Sequence, residues 1–220
     1  DAGGRPRRHL LLHLPLGAAP HSAREAFRQT PLEEMIIGVT GTNGSGKGEV
    51  ARYLVKEKGF THFSSREIIT EEINRRGLPV NRDTMNEVAN DMRATIGATY
   101  PQEQLYERAA THGGDAVIES VREVPGAEYL RAHGAFLLGV DAEQQQRYER
   151  VIKRASSTDH VDFETFAAQE LKEMENPDPA KQNVGRVMQI VDVTLRNDTT
   201  FEAFHQEIDA ALETFKRKGS

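Results

Sequence analysis

The sequence predicts an α/β fold in which a parallel sheet is covered by helices on both faces. Short apolar segments typical of strands alternate along the 220 residues with longer segments whose apolar residues recur at helical spacing. Strands that alternate with helices pair in parallel, because each helix returns the chain to the edge where the previous strand began. Ligands bind such sheets at the carboxyl ends of the strands, so functional residues are expected in the segments that follow them.

Five short apolar segments carry the strand prediction. They lie at residues 36–39, 60–63, 115–119, 136–140 and 191–195. The fourth segment, from Phe136 to Val140, is the most apolar, and it is expected at the centre of the sheet because central parallel strands are buried on both faces.

Capping residues and glycines delimit the predicted helices. These helices are predicted at 47–58, 65–77, 83–92, 105–112, 129–130, 141–154, 162–171, 184–190 and 199–215. Thr199 is expected to cap the last helix. Its apolar residues fall on one face, which predicts an amphipathic helix buried along that face. They are Phe201, Phe204, Ile208, Leu212 and Phe215.

The segment after the first strand carries the most specific motif of the chain. Gly41 to Lys47 fits the pattern G-x-x-x-x-G-K between a predicted strand and a predicted helix, the context in which this pattern cradles phosphates. The glycines let the backbone curl tightly, so that its N–H groups form an anion nest at a helix N-terminus. Lys47 supplies a positive charge for β- and γ-phosphates. A glycine turn without a bound phosphate is the weaker interpretation, because the motif and its position between a strand and a helix agree.

Gly48 stands where a serine or threonine commonly binds Mg²⁺. The metal is therefore expected to be held by water and a distant carboxylate. Glu119, at the end of the third strand, is the candidate to hold a metal-bound water or to accept a hydroxyl proton. Arg122 follows three residues later, where its planar guanidinium suits an acceptor phosphate. The alternatives are a solvated strand-end glutamate and a surface arginine.

Three arginines, Arg147, Arg150 and Arg154, are spaced three and four apart and share one helix face. They precede a polar stretch at 155–160 that is a candidate lid. A lid that brings Arg150 and Arg154 to a transferring phosphoryl group would stabilise its charge and exclude water. A solvated stripe of arginines is the alternative.

Two further segments follow strands. After the second strand, Arg66 is a candidate for an acceptor phosphate and Glu67 for a base or sugar, with Ser65 beside them; helix capping by Ser65 is an equally open interpretation. After the last strand, Asn197 is a candidate for the adenine edge of a nucleotide, with simple turn formation as the alternative. The residues predicted to bind the nucleotide cofactor are Gly41, Thr42, Asn43, Gly44, Ser45, Gly46, Lys47, Gly48, Glu49 and Asn197.

Composition limits the partners. The formal net charge is −6 and the pI is about 5.8, so no general attraction to nucleic acid or anionic membranes is expected. The absence of cysteine excludes disulfides, thiolate metal sites and cysteine nucleophiles. No apolar run is long enough for a bilayer. A cytoplasmic monomer or homodimer is expected, with residues 1–34 as an extension outside a folded domain at 35–220.

The phosphate loop resembles that of the adenylate-kinase-like nucleoside monophosphate kinases, which often have glycine directly after the lysine. Glu49 departs from the hydroxyl residue that those kinases usually have next. The segment 117–122 resembles the acid-then-arginine strand of small adenylate-kinase-related proteins of archaea and bacteria, which are similar to dephospho-coenzyme A kinase. The resemblance covers residues 35–218 and implies a P-loop kinase fold. That fold has a five-stranded parallel core in a three-layer sandwich, a helical acceptor-binding region near 64–112 and a lid near 154–183.

The resemblance and the loop together predict ATP-dependent phosphoryl transfer, with Mg²⁺, to a nucleotide such as a nucleoside or deoxynucleoside monophosphate. In this hypothesis Lys47, Glu119, Arg150 and Arg154 are catalytic. The residues predicted to bind the acceptor are Ser65, Arg66, Glu67 and Arg122. Phosphorylation of the sugar hydroxyl of dephospho-coenzyme A is one alternative. An ATP-binding regulatory module that transfers no phosphoryl group is the other.

Overall fold

The computed structural model describes residues 34–154, 162–176, 178 and 181–218. Of the sequence predictions, the extension over 1–33 lies outside the described residues, as does part of the lid predicted near 154–183. In the described part of the chain, five strands are flanked by helices on both faces. None of the described helices is long and apolar enough to cross a membrane.

The strands form a single parallel sheet in the order β2-β3-β1-β4-β5, so β1 occupies the centre expected for β4, which lies beside it. Their bounds are Ile36–Gly41 for β1, Thr61–Ser64 for β2, Ala116–Glu119 for β3, Phe136–Asp141 for β4 and Val193–Arg196 for β5. Residue pairing puts Val39, Glu119 and Ser64 in one row across three neighbouring strands. The carboxyl ends of β1, β2 and β3 therefore meet at one edge, and the predicted α/β fold with a five-stranded parallel sheet is confirmed.

Nine helices lie in the described part of the chain. They are α1 (Lys47–Lys58), α2 (Ser65–Arg75), α3 (Arg82–Thr95), α4 (Tyr100–His112), α5 (Val124–Ala132), α6 (Gln144–Arg154), α7 (Phe163–Met174), α8 (Val184–Met188) and α9 (Phe201–Lys218). Helices α2 to α4 lie in the region predicted to bind the acceptor, and α7 lies within the predicted lid.

The sheet separates two apolar cores. Ile37 and Val39 of β1 pack with α1 and α9 on one face, whereas Ile36 packs with α2 to α5 on the other, as the alternation of side chains along a strand requires. Each fully buried aliphatic side chain contributes about 1.5–3 kcal/mol to stability relative to an exposed one. These two cores hold the strand ends at which the site is built.

Several helix starts follow their predicted caps and two differ. Ser64 caps α2, and Asp162 caps α7 by accepting a hydrogen bond from the Thr165 amide. The prediction that Asp141 begins α6 is wrong, because its carboxylate accepts from the Ala142 amide and pairs with Arg196, and the helix starts three residues later. The last helix is capped by Thr200 and not by Thr199, since the Thr200 hydroxyl oxygen accepts from the amide of Ala203.

The start of β5 also differs from the prediction. Asp192 donates its amide to the Leu137 carbonyl, while its carboxylate accepts from the Leu137 amide. Both backbone groups of Leu137 are therefore bonded to Asp192 in the turn before β5. Pairing between β4 and β5 begins at the next residue, Val193.

One member of the apolar face predicted for α9 lies outside the core. Phe201 is 58% exposed, whereas Phe204 and Ile208 are fully buried. Phe201 occupies the first turn of the helix and stacks on His205 at a ring-centroid distance of 6.3 Å.

The contrast between these two phenylalanines gives a stability prediction. We expect Phe204→Ala to lower the free energy of unfolding by about 3–5 kcal/mol, because it leaves a cavity in the core beside β1 and α1. The matched control Phe201→Ala should change it by less than about 0.5 kcal/mol. Urea denaturation followed by circular dichroism measures both values, and equal losses would contradict the packing described for α9.

Candidate functional site

The glycine-rich loop joins the end of β1 to the start of α1. Gly41, Gly44 and Gly46 have φ angles of +141°, +78° and +111°, a region that side chains with a Cβ rarely adopt. A Cβ at Gly44 would stand 2.4 Å from the Arg147 carbonyl oxygen, and one at Gly46 would stand 2.1 Å from Nδ2 of Asn197. The loop therefore needs glycine for its conformation and also for its close packing against α6 and the turn after β5.

Lys47 lies inside this loop, with only 8% of its surface exposed. Its ammonium donates to the carbonyl oxygens of Gly41 at 2.8 Å and Thr42 at 2.7 Å. Burial lowers the pKa of Lys47 to about 7, and the positive charge of Arg122 acts in the same direction. The two carbonyl contacts favour the protonated form and act against this lowering. A buried ammonium held by its own loop is available to an anion bound in the loop.

Asn197 supports the loop from the end of β5. Its side-chain amide donates to the Ser45 carbonyl at 2.8 Å, and its backbone amide donates to Asp141 at the end of β4 at 2.8 Å. Arg150 of α6 donates to the Asn197 carbonyl at 2.7 Å. The predicted contact of Asn197 with an adenine edge is not tested by this geometry, which places its side chain beneath the phosphate loop.

Glu119 faces the start of α1 from the end of β3. Its Oε2 lies 3.0 Å from Nε2 of His62 on the neighbouring strand, and its Oε1 lies 4.0 Å from the position of a Cβ at Gly48. The hydrogen bond from His62 holds the pKa of Glu119 below its usual range, and the nearby charge of Lys47 adds to this effect. An ionised carboxylate thus stands beside the residue that lacks the usual hydroxyl. The sequence analysis did not identify His62 as a residue of this site.

Glu49 directs its side chain away from the loop and towards α9. Its carboxylate accepts from Arg52 at 2.8 Å and lies 2.6 Å from Nε2 of His205. These contacts link α1 to α9, so the side chain of Glu49 has a structural role in the described residues. Its inclusion among the cofactor-binding residues stays a prediction.

Arg122 reaches from the end of β3 to the region predicted as the lid. Its guanidinium donates to Glu173 of α7 at 3.2 Å and to Gln182 at 3.3 Å, and its carbonyl accepts from the Asn183 amide at 2.9 Å. Glu173 also raises the pKa of Lys47, as Glu119 does, through its negative charge. Two arginines and two carboxylates therefore surround the loop lysine. They are Arg122, Arg154, Glu119 and Glu173.

The three arginines predicted to share one face of α6 have different environments. Arg147 is buried, donates to the Ala142 carbonyl at 2.7 Å and pairs with Glu170 of α7. Burial lowers its pKa, although the carboxylate of Asp141 opposes this. Arg154 donates to the Asn43 side chain of the loop at 3.3 Å. Arg147 therefore joins α6 to α7, whereas Arg154, like Arg150, contacts the loop or its support.

The predicted acceptor residues after β2 divide between interior and surface. Ser65 is buried, and its hydroxyl accepts from the Gln102 amide of α4 at 3.3 Å. Arg66 and Glu67 are exposed on α2. With three neighbours, they line an open groove of about 410 Å³, whose other residues are Thr70, Glu71 and Asn74.

Comparison with known proteins places this site in a known fold. Residues 37–176 match a family model described as AAA domain. A UPF0200 protein of Aeropyrum pernix is 31% identical over 170 residues, which cover 76% of this chain and 87% of that relative.

Two solved structures are similar to this chain. A shikimate kinase from Bacteroides thetaiotaomicron has a TM-score of 0.54 at 10% identity, over 83% of this chain and 98% of that one. A gluconokinase from Sinorhizobium meliloti 1021 has a TM-score of 0.52 at 16% identity, over 85% of this chain and 95% of that one. These likenesses show that the fold is that of P-loop kinases. The match to the family model shows that the chain belongs to the AAA domain family, and the identity to the Aeropyrum relative shows that it belongs to the UPF0200 proteins.

Proposed function

We propose that this chain is an ATP-dependent kinase that phosphorylates a nucleoside or deoxynucleoside monophosphate. The observation that carries the proposal is the position of Lys47, buried in a glycine loop at the carboxyl end of β1 and surrounded by charges from three other elements. The P-loop kinase fold supports it, because kinases of this fold place the donor phosphates in such a loop.

The donor phosphates would bind to groups that the loop already orients. The backbone amides at the start of α1 provide donors, and the helix N-terminus favours negative charge. Lys47 would exchange the carbonyls of Gly41 and Thr42 for oxygens of the β- and γ-phosphates. Asn197 and Arg150 would hold the loop in place during this exchange.

The residues near Gly48 fit a magnesium ion. Bound there, Mg²⁺ would supply positive charge that offsets the negative charge of the donor phosphates. Magnesium keeps several water ligands and needs few carboxylates, so the ionised Glu119 beside the small Gly48 would hold it through water. No group of three or more His, Asp or Glu among the residues described could hold a metal alone.

The acceptor would be held on the side of Lys47 opposite to the donor phosphates. Arg122 would bind its phosphate, with Arg66 as a further candidate. The bond between the γ-phosphorus and the oxygen that bridges it to ADP breaks, and a bond forms to a phosphate oxygen of the acceptor. Arg154, and Arg150 if it leaves Asn197, would stabilise the charge of the transferring group. Catalysis of this kind depends on positioning and charge stabilisation.

One observation favours a second candidate, in which the acceptor is a hydroxyl group as in dephospho-coenzyme A. A hydroxyl must lose its proton when the new bond forms, and a phosphate oxygen need not. The Glu119 carboxylate, oriented by His62 at 3.0 Å, is placed to accept such a proton.

The first prediction from the proposed kinase function concerns Lys47. With ATP, Mg²⁺ and the correct acceptor, Lys47→Ala should lower the rate of ADP release by roughly 10²–10³-fold, because one charged contact to the transferring group is removed. The acceptors to assay are ribo- and deoxynucleoside monophosphates and dephospho-coenzyme A.

The control for this experiment is Lys56→Ala, which removes an exposed lysine from the same helix. It should retain the rate of the unmodified protein. Retained activity in Lys47→Ala would refute the assignment of the loop. Tight ATP binding without stimulation by any acceptor would favour a regulatory module over a kinase.

A second prediction concerns protonation of Lys47. A lysine with a pKa of about 7 is about nine-tenths neutral at pH 8, and a bound triphosphate favours its charged form. ATP binding at pH 8 should therefore take up protons, and the uptake should fall as the pH decreases below 7. Calorimetry in two buffers of different ionisation enthalpy measures the number of protons taken up per ATP bound. Lys47→Arg, which stays charged, should show no uptake, and equal uptake in both proteins would contradict the prediction.

A third prediction concerns Glu173, whose carboxylate pairs with Arg122 and lies near Lys47. Glu173→Gln removes a negative charge that a phosphate group would meet, so the affinity for ATP should rise by about threefold to tenfold. Glu164→Gln, on an exposed position of the same helix, is the control and should leave the affinity unchanged. Weaker ATP binding by Glu173→Gln would show that the carboxylate assists the nucleotide.

A further inference from the structure

A cluster of buried polar side chains lies between α3, α4 and the connection from β3 to α5. We call it the Glu123 cluster. It consists of Ser65, Arg93, Gln102 and Glu123, which are 8%, 6%, 1% and 2% exposed. The function proposed above assigns no role to Arg93, Gln102 or Glu123, and the sequence analysis did not select them.

The members of the cluster are neighbours. Gln102 donates to the Ser65 hydroxyl at 3.3 Å, and its Oε1 lies 2.8 Å from the position of a Cβ at Gly126, in the first turn of α5. Glu123 precedes that turn. Burial raises the pKa of Glu123, and the positive charge of nearby Arg93 opposes this rise without cancelling it, so burial favours the neutral carboxyl group.

Three atoms of the cluster have no hydrogen-bond partner among the described residues. They are Nε of Arg93, Oε1 of Gln102 and Oε1 of Glu123. A buried polar atom without a partner destabilises the folded state, so a group of three is unfavourable if its only role is to stabilise the fold. Such groups are retained where a ligand completes their hydrogen bonds.

The position of the cluster also indicates a ligand. Ser65 follows β2 and Glu123 follows β3, and these strand ends lie at the edge where parallel sheets bind ligands. Glu123 is adjacent in the chain to Arg122, which we propose holds the acceptor phosphate. The cluster is therefore next to the acceptor side of the proposed reaction.

We propose that the Glu123 cluster is the base-recognition subsite for the acceptor and that it selects guanine; this inference rests on the proposed nucleotide kinase function. The unpartnered atoms offer one donor, the N–H of Arg93, and two acceptors, the Oε1 atoms of Gln102 and of the Glu123 carboxyl group. The pairing edge of guanine presents the complement, with O6 as acceptor and the N1 and N2 groups as donors.

The other common bases do not match this pattern. Adenine presents one donor and one acceptor on its pairing edge, and cytosine and uracil each present one donor and two acceptors. Any of them would leave a buried acceptor of the cluster without a partner, which disfavours binding. Because the three atoms are buried, a base reaches them only when α3 and α4 move apart from α5.

The test compares acceptors of one kind that differ only in the base. GMP, AMP, CMP and UMP are assayed for ADP release with ATP–Mg²⁺ and for binding by calorimetry. The unmodified protein should prefer GMP by at least about tenfold. Glu123→Gln should reduce that preference by about tenfold, because the carboxyl group that accepts from the base donors is replaced by an amide. The affinity for ATP should stay the same.

Two further variants keep the test decisive. Gln102→Met has a similar shape without the acceptor and should also reduce the preference for GMP, which covers the case in which Glu123→Gln fails to fold. Glu128→Gln, exposed on α5, should retain the preference of the unmodified protein. Thermal unfolding shows that each variant is folded.

The outcomes separate this inference from the function on which it rests. If nucleoside monophosphates stimulate ADP release but no base is preferred, or the preference survives both Glu123→Gln and Gln102→Met, the base subsite is refuted and the kinase proposal stands. If no nucleoside monophosphate stimulates ADP release, the kinase proposal fails, and the subsite fails with it. Loss of GMP preference with unchanged ATP affinity supports both.

Discussion

The close packing beneath the glycine loop is the constraint on which the rest of the site depends. The amide of Asn197 and the carbonyl of Arg147 occupy the space where side chains at Gly46 and Gly44 would stand. The ends of β4 and β5 and the helix α6 therefore shape the loop before any phosphate binds. Binding to a preformed loop avoids the entropy cost of ordering it, and its dipoles need no reorganisation during reaction.

The second organising feature is the balance of charge around Lys47. A buried ammonium is unfavourable by itself, and two nearby carboxylates, Glu119 and Glu173, compensate it while Arg122 and Arg154 oppose them. The carboxylates come from different elements, one from the rigid sheet and one from α7. An anionic substrate would change this balance most at Glu173, because its partner Arg122 is also a candidate for substrate phosphate. In the proposed function, the same contacts would connect nucleotide binding to the position of α7.

The two faces of the sheet have different chemistry, and the difference follows their proposed roles. The face covered by α1 and α9 is closed by apolar contacts and by half-buried pairs such as the one between Glu49 and His205. The face covered by α2 to α5 also contains an apolar core, yet it includes buried polar atoms of Arg93, Gln102 and Glu123. A stable apolar core on both faces can support such unfavourable groups where a ligand uses them.

The sequence by itself determined the fold class, the strands, most helices and the phosphate loop, because each depends on local periodicity or on a short motif. It also placed Glu119 at the end of a strand and Arg122 three residues later. It did not identify His62 as the partner of Glu119 or Glu173 as the partner of Arg122, which are 57 and 51 residues apart in the chain. Nor did it distinguish the environments of Arg147 and Arg154.

Only the tertiary structure decided these pairings, because they depend on strand order, on residue register and on how α6 and α7 pack. Periodicity shows which face of an element is buried, but it does not show which distant element covers that face. The Glu123 cluster is the strongest example. Its residues are charged or polar, so the pattern of apolar residues does not predict that they are buried. Only the fold brings them together in the interior.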